Sequence, residues 1–503
     1  MTESILPPGR NRRLVSFALM LGSFLAALEA TAVAASVPTA VGELRGMSHY
    51  SWVFSAYLLT STTTVPLYGK LADLYGRRKV YHCAAALFLL GSVLCGFSNS
   101  LGQLIICRAI QGLGAGGVQP ITMTLIGDLY TLKERGRVQG LFSGVWAFSS
   151  LIGPPLGGLI TDLLSWRWIF FINLPFGLAS SLILQRWLGP ELTAQRRKHR
   201  LDILGTALLT VAITLLLVGL LEGAGEAGFT APLTLALFAA AIGGLVAFVL
   251  QERRAAEPML PLDLLAHPVI GVSAVGNVLI GVLLYAITAF VPMFSQGVLG
   301  GSAAAAGAVL TPMLLGWPIA SVISGRLVLR AGYRPLAIVG GTLIAVGGVL
   351  LARLGAGSPR EQILVATFII GLGLGFFAMP FLLAVQNAVA WQQRGVATSS
   401  VQFFRTIGGA VAVAALGALL NARMSAHGSH LDPNAMFEPA LLGRLPPNAL
   451  HALQDALVYG LRAVFFAIGA VSVLTLVVAL LFPRASIAPA IDAPVEPLSG
   501  AAH

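Results

Sequence analysis

The stretch "GKLADLYGRRKV", Gly69 to Val80, sets two glycines, one acid and the basic run Arg77–Arg78–Lys79 between two apolar segments. Glycine permits a tight turn between two helices. Clustered Lys and Arg hold a loop at the inner surface of a membrane. A second version, "GRLVLRAGYRP", begins at Gly325. Gly325, Gly332 and Arg334 stand where the first version has Gly69, Gly76 and Arg78, while Leu329 stands where it has Asp73. A loop that recurs in this way marks an internal repeat.

The chain around the repeat is apolar. Of its 503 residues, 56% are hydrophobic and 10% charged, against about 25% charged in soluble domains. Runs such as "LVSFALMLGSFLAALEATAVAASV" and "VFFAIGAVSVLTLVVALLF" reach the about 20 residues that cross a bilayer core. The first is too long for a cleaved signal peptide. Fourteen spans are expected, at 14–36, 50–68, 79–98, 103–127, 138–160, 168–187, 202–222, 229–250, 268–297, 303–325, 336–354, 361–386, 396–421 and 460–482. This reads as an all-α integral membrane protein with two six-helix halves and two inserted helices. Residues 1–187 form the first half, 188–263 a linker carrying the extra pair, 264–484 the second half and 485–503 a cytoplasmic tail.

With the N-terminus inside, 22 of the 31 Lys and Arg fall in inner segments and 7 in outer ones. Arg108 and Arg405 remain within spans. That asymmetry orients both termini to the cytoplasm of a plasma (inner) membrane. It also accounts for the net charge of +11 without a nucleic-acid partner. No G-x-S-x-G, H-E-x-x-H or Walker loop is present, so no enzymatic chemistry is indicated. Cys83, Cys95 and Cys107 lack metal-ligand spacing. Cys83 and Cys95 lie roughly 18 Å apart on one helix and cannot pair.

Four stretches carry chemistry. The loop at Gly69 is the first. The second, "LIICRAIQGLGAGG", contains the buried cation Arg108, and intramembrane charges are functional candidates by default. The third, "GVWAFSSLIGPPLGG", holds Gly144, Gly153, Pro154, Gly157 and Gly158. Its prolines bend the helix and its glycines let another helix approach. The fourth, "LEATAVAASVPTA", sets Glu29 alone in an apolar run. Counted at 1.5 Å per residue from their span starts, Glu29 and Arg108 come to similar depth. Burial disfavours the charged carboxylate and a nearby arginine favours it, so an acid balanced between the two can take up and release a proton. The same placement suits a static Glu29–Arg108 pair that holds the bundle.

With these motifs the chain resembles the major facilitator superfamily, and within it the fourteen-helix drug:proton antiporters. Leu28, Glu29, Thr31, Val33 and Pro38 match that branch's opening motif with Glu for its usual Asp; "SWRWIFFINLPFG" and "QFFRTIGGAVAVA" resemble it too. The resemblance implies alternating access and a conformational latch. In that latch Asp73 docks at the helix beginning near Val396, and Arg77 pairs with Asp128, supported by Gly69, Gly76 and Arg78. It marks Gly144 to Gly158 as an antiporter motif. The depth and burial argument above puts Glu29 with Arg108 forward as the proton-coupling pair. Candidate cavity residues are Thr31, Gln119, Met123, Trp146, Tyr285, Phe377, Met379, Gln386 and Asn387, since aromatic and Met side chains suit varied apolar ligands. Trp52, Trp166, Trp168, Trp187 and Trp391 fall near span ends and read as interface anchors. The expectation is a monomeric proton-coupled exporter of amphipathic or cationic small molecules, in contact with lipid and powered by the proton gradient without a cofactor. The rivals are an exporter of lipids or an endogenous metabolite, and a non-transport membrane protein.

Overall fold

The computed structural model describes residues 10–130, 132–188, 202–224, 228–255, 265–389, 394–426 and 447–483. Among these, no residue is in a strand. The first half comprises α1 (Arg10–Glu43), α2 (Trp52–Tyr75), α3 (Arg77–Gly96), α4 (Leu101–Leu129), α5 (Leu132–Leu163), α6 (Arg167–Phe171) and α7 (Asn173–Trp187). The helices α8 (Ile203–Ala224) and α9 (Pro232–Arg254) follow. The second half comprises α10 (Pro268–Gly297), α11 (Ala303–Ala308), α12 (Thr311–Ala331), α13 (Tyr333–Ala352), α14 (Arg360–Asn387), α15 (Arg394–Ala426) and α16 (Pro447–Leu481).

Each of the fourteen expected stretches coincides with helix in the described residues. Two of them are broken, and proline sets both breaks. Pro175 lies four residues after Phe171, where α6 ends, and Pro312 lies four residues after Ala308, where α11 ends. A proline ring clashes with the carbonyl four residues back and supplies no N–H. With the broken pieces joined, eleven helices in the described residues are long and apolar enough to cross a membrane, and Leu204–Leu220 is a shorter apolar one. Polar residues dilute the stretch in α2, where Thr60, Ser61, Thr62, Thr63 and Thr64 turn their hydroxyls onto carbonyls of the preceding turn. Such back-bonding satisfies the hydroxyl inside the helix itself. Large apolar side chains stand outward on these helices, among them Leu182, Phe466 and Leu481. Apolar surface on this scale marks a face that meets lipid rather than water.

The halves are built alike. In the first, α1 packs on α5 and α2 on α4; in the second, α10 packs on α15 and α12 on α14. The repeated loop plays one role in both. Gly76 (φ 92°) separates α2 from α3 and Gly332 (φ 83°) separates α12 from α13, a conformation that favours glycine. Just beyond each, an arginine fastens the last helix of its own half. Arg78 donates to the carbonyls of Leu188 (2.8 Å) and Gln185 (2.5 Å). Arg334 donates to that of Leu480 (2.8 Å).

The halves meet at the far face of the bundle, where α1 ends and α2 begins. Tyr50 donates to the carbonyl of Ala289 (2.6 Å), Ser55 to that of Ala410 (3.1 Å) and Gln296 to the Thr39 hydroxyl (2.6 Å). Asp162, at the end of α5, accepts from the backbone N–H groups of Ala303 (3.0 Å) and Ala304 (2.9 Å) at the start of α11. A carboxylate there answers the positive end of the helix dipole. Beside it, Gly158 lies so close to Ala303 and Ala304 that a Cβ would collide with their backbone. Gly307 is pressed against the Pro154 carbonyl in the same way. The "GPPLGG" stretch is therefore a seam between the halves.

Candidate functional site

The first-half centre is built from five elements. Glu29 on α1 is 1% exposed and Arg108 on α4 is 3% exposed. An Arg108 Nη1 proton goes to Glu29 Oε1. Arg108 Nη1 also donates to Gln111 Oε1 (2.7 Å), one turn along α4, and its Nε to the Val53 carbonyl (3.2 Å) on α2. The guanidinium stacks over the Tyr57 ring at 4.2 Å. Asn173, the first residue of α7, donates from Nδ2 to Glu29 Oε2 (2.6 Å) and to the Ser92 hydroxyl (2.8 Å). Gln111 Nε2 closes the ring on Ser92 (3.2 Å). Both carboxylate oxygens thus accept from a buried donor. A buried pair of ions is tolerated only with such added hydrogen bonds.

The second half holds the other intramembrane cation. Arg405 on α15 donates from Nε (3.1 Å) and Nη2 (2.7 Å) to one atom, Asn277 Oδ1 on α10. Its guanidinium lies 5.8 Å from the Trp317 ring on α12. The Tyr285 ring rests on Gly409, one turn beyond Arg405.

The remaining expected residues scatter. Gln119 accepts from Ser23 (3.3 Å), and Met123 packs partly buried on the Leu125–Leu129 cluster at the near face, where α1 begins. Trp146 is partly buried on α5. Thr31 serves helix packing rather than an open cavity. It is buried, donates to the Ala27 carbonyl (2.9 Å) and abuts Gly153 of α5. Phe377 is fully buried and stacks on Phe381, with centroids 4.3 Å apart. Met379 lies against Gly325. Gln386 donates to Thr398 (3.4 Å) and Asn387 to Tyr333 (2.6 Å), both at the near face. In the third motif Gly157 sits against the Ala32 backbone, but Gly144 and likewise Gly69 of the loop meet open space. Trp166 is no interface anchor. It is 1% exposed and donates to Glu43 Oε2 (2.7 Å), because Glu43 and Arg167 pair beside it at 2.6 Å. The side chains of Asp73 and Asp128, and Trp391, lie outside the described residues, and so do the side chains of the first residues of α15, the helix to which Asp73 was assigned.

Sequence reading missed Gln111, Asn173 and Ser92. Asn173 was visible as the one amide in "FFINLPFG", and Gln111 as the polar residue one turn from Arg108. Among the described residues, no group of three or more His, Cys, Asp or Glu could hold a metal ion.

The sequence profile of the Major Facilitator Superfamily matches residues 19–413. Multidrug transporter protein MdtP of Bacillus subtilis is 40% identical over 417 residues, covering 82% of this chain and 76% of that protein. Multidrug resistance protein 3 of the same organism is 32% identical over 472 residues, covering 90% and 92%. Among solved structures, a bacterial homologue of the human lysosomal transporter Spinster superposes with a TM-score of 0.66 at 16% identity, covering 96% of this chain and all of that one. A D-xylose-proton symporter superposes with a TM-score of 0.64 at 14% identity, covering 94% and 98%.

Proposed function

The chain belongs to the major facilitator superfamily and is a multi-pass membrane transporter rather than an enzyme, and on that premise we propose that it exports amphipathic or cationic small molecules in exchange for protons. The observation that carries this reading is the Glu29 centre. An acid with no solvent access, held by one cation and one amide, is costly to keep unless it can be neutralised. It is the acid whose proton occupancy can change the helix contacts around it. With a proton on Glu29, Arg108 loses its counter-ion and the α1–α4–α7 contact weakens. Without one, the contact closes. Coupling that change to exposure at alternate faces gives antiport.

The near face is cytoplasmic in this reading, with both termini there and the bilayer a plasma membrane, as the charge sorting supports. All fourteen helical stretches cross. The driving force is ample: about 2.3 kcal/mol per charge at 100 mV and about 1.4 kcal/mol per tenfold proton gradient. No cofactor is needed, and a single chain holds both halves of the path. Asp73, Arg77 and Asp128 form the latch at the cytoplasmic face, opposite the seam at Asp162. The names of the relatives favour drug-like cargo over lipid. Proteoliposomes with an imposed pH gradient test the proposal. Uphill movement of a cationic dye should need the gradient and stop in Glu29→Gln, while downhill dye exchange continues. Uphill movement that persists in Glu29→Gln would place the coupling acid elsewhere.

A further inference from the structure

Each half sets an arginine between its opening helix and an aromatic ring of its second helix, although the two arginines stand on different helices, Arg108 on the fourth (α4) and Arg405 on the fifth (α15). In the first half, Glu29 of the opening helix and the Tyr57 ring of the second helix surround Arg108. In the second half, Asn277 of the opening helix and the Trp317 ring of the second helix flank Arg405. The amide stands in the part the carboxylate plays. An amide oxygen accepts hydrogen bonds but cancels no charge, so Arg405 keeps its full positive charge, which arginine does not lose in proteins.

Three further features point to a ligand. Both bonds from Arg405 go to the same Asn277 oxygen, so three of the five guanidinium N–H groups make no hydrogen bond to a described residue. Arg405 is only partly buried by its accessible surface, and Gln402, one turn before it, is exposed. Arg405 also extends from the α10–α15 pair toward Trp317 on the α12–α14 pair. It therefore sits between those pairs, one turn before the Gly409 on which the Tyr285 ring rests. No acid faces it from α10, α12 or α15 among the described residues. A planar fork with free N–H groups, beside an indole and a phenol ring, suits a carboxylate or sulfonate attached to an aromatic or alicyclic body.

We propose that Arg405, with Asn277, Trp317 and Tyr285, is a recognition site for the anionic group of an amphipathic cargo. The physiological meaning rests on the transport reading above, but the binding itself does not. This site narrows the cargo class: molecules with an acidic group join or replace simple cations.

Two xanthene dyes of similar size and opposite charge test it, fluorescein (anionic) and rhodamine 6G (cationic). Binding of each to the full-length protein in nanodiscs is read by fluorescence anisotropy, with no gradient present. R405Q should weaken fluorescein binding by about tenfold or more, equivalent to about 1.4 kcal/mol, and leave rhodamine 6G within about twofold. N277D, which supplies the missing counter-ion without removing the arginine, should weaken fluorescein by a similar factor, and R405K should fall between wild type and R405Q. An unchanged unfolding midpoint and elution profile report that each variant is folded, and N277D carries the test alone if R405Q does not fold. The proposal is overturned if wild type and the variants bind fluorescein alike, whether tightly or not at all, or if the folded variants lose both dyes together. Transport can fail in the gradient assay while this binding difference stands, so the two readings fall separately.

Discussion

Arg108 and Arg405 are cations within the membrane-spanning helices of opposite halves, and they differ chiefly in what answers their charge. Arg108 is 3% exposed, with an acid, an amide, a backbone carbonyl and an aromatic face around it. Arg405 is partly accessible, with one amide oxygen and an indole beside it. A satisfied centre of the first kind holds helices together and responds to the loss of any member. An incomplete one of the second kind holds its helices less strongly and leaves capacity for a guest. Under the two proposals above, the contrast divides labour between the halves, with protons at Glu29 and cargo at Arg405.

The largest expected break of this comparison is Arg108→Ala. It leaves Glu29 buried without its counter-ion and should lower stability by about 3–5 kcal/mol, read as the unfolding midpoint in detergent. The double variant Glu29→Gln/Arg108→Gln should recover most of that loss. Arg405→Ala removes a charge that no acid among the described residues balances. It should cost only about 1 kcal/mol, for the Asn277 oxygen left without a donor. Equal losses at the two arginines would erase the distinction drawn here. Asn173→Leu sharpens it. Glu29 Oε2 then loses its donor, for about 1.5–3 kcal/mol, and the unfolding midpoint should fall by an intermediate amount with Arg405-dependent dye binding unchanged. The smallest effect is expected at the seam. Asp162→Asn weakens the charge–dipole contact with α11 by about 0.3–1 kcal/mol. It should raise the labelling rate of a cysteine at Gln296 by about two- to fivefold, and no change would mean that Asp162 does not help close the far face.

The positions of the helices were legible because long apolar runs and polar loops alternate along the whole chain. The approach of Glu29 to Arg108 was legible because rise per residue fixes depth. The faces of the helices were not. Lipid-facing and core-facing residues are both apolar in a bundle of this kind, so Thr31 and Phe377 read as cavity candidates when Thr31 seats Gly153 and Phe377 fills the second-half core. Trp166 misled for a related reason, since its position at a span end says nothing of the Glu43–Arg167 pair that draws it inward. The GPPLGG stretch gained a physical meaning that its sequence lacks: Gly157 admits α1, and Gly158 admits α11 of the other half. Asn173 and Asn277 escaped notice because a single neutral amide in an apolar run carries no charge signal, although each decides how its arginine centre is completed.

The central claim is that Glu29 carries the proton exchanged for cargo. The most direct measurement is proton release from the purified full-length protein in weakly buffered detergent, read with a pH indicator on addition of a saturating dye cargo. Wild type should release protons in proportion to bound dye, and Glu29→Gln should bind dye with no release. Release of the same size from Glu29→Gln would contradict the account and leave the Glu29–Arg108 pair a structural tie.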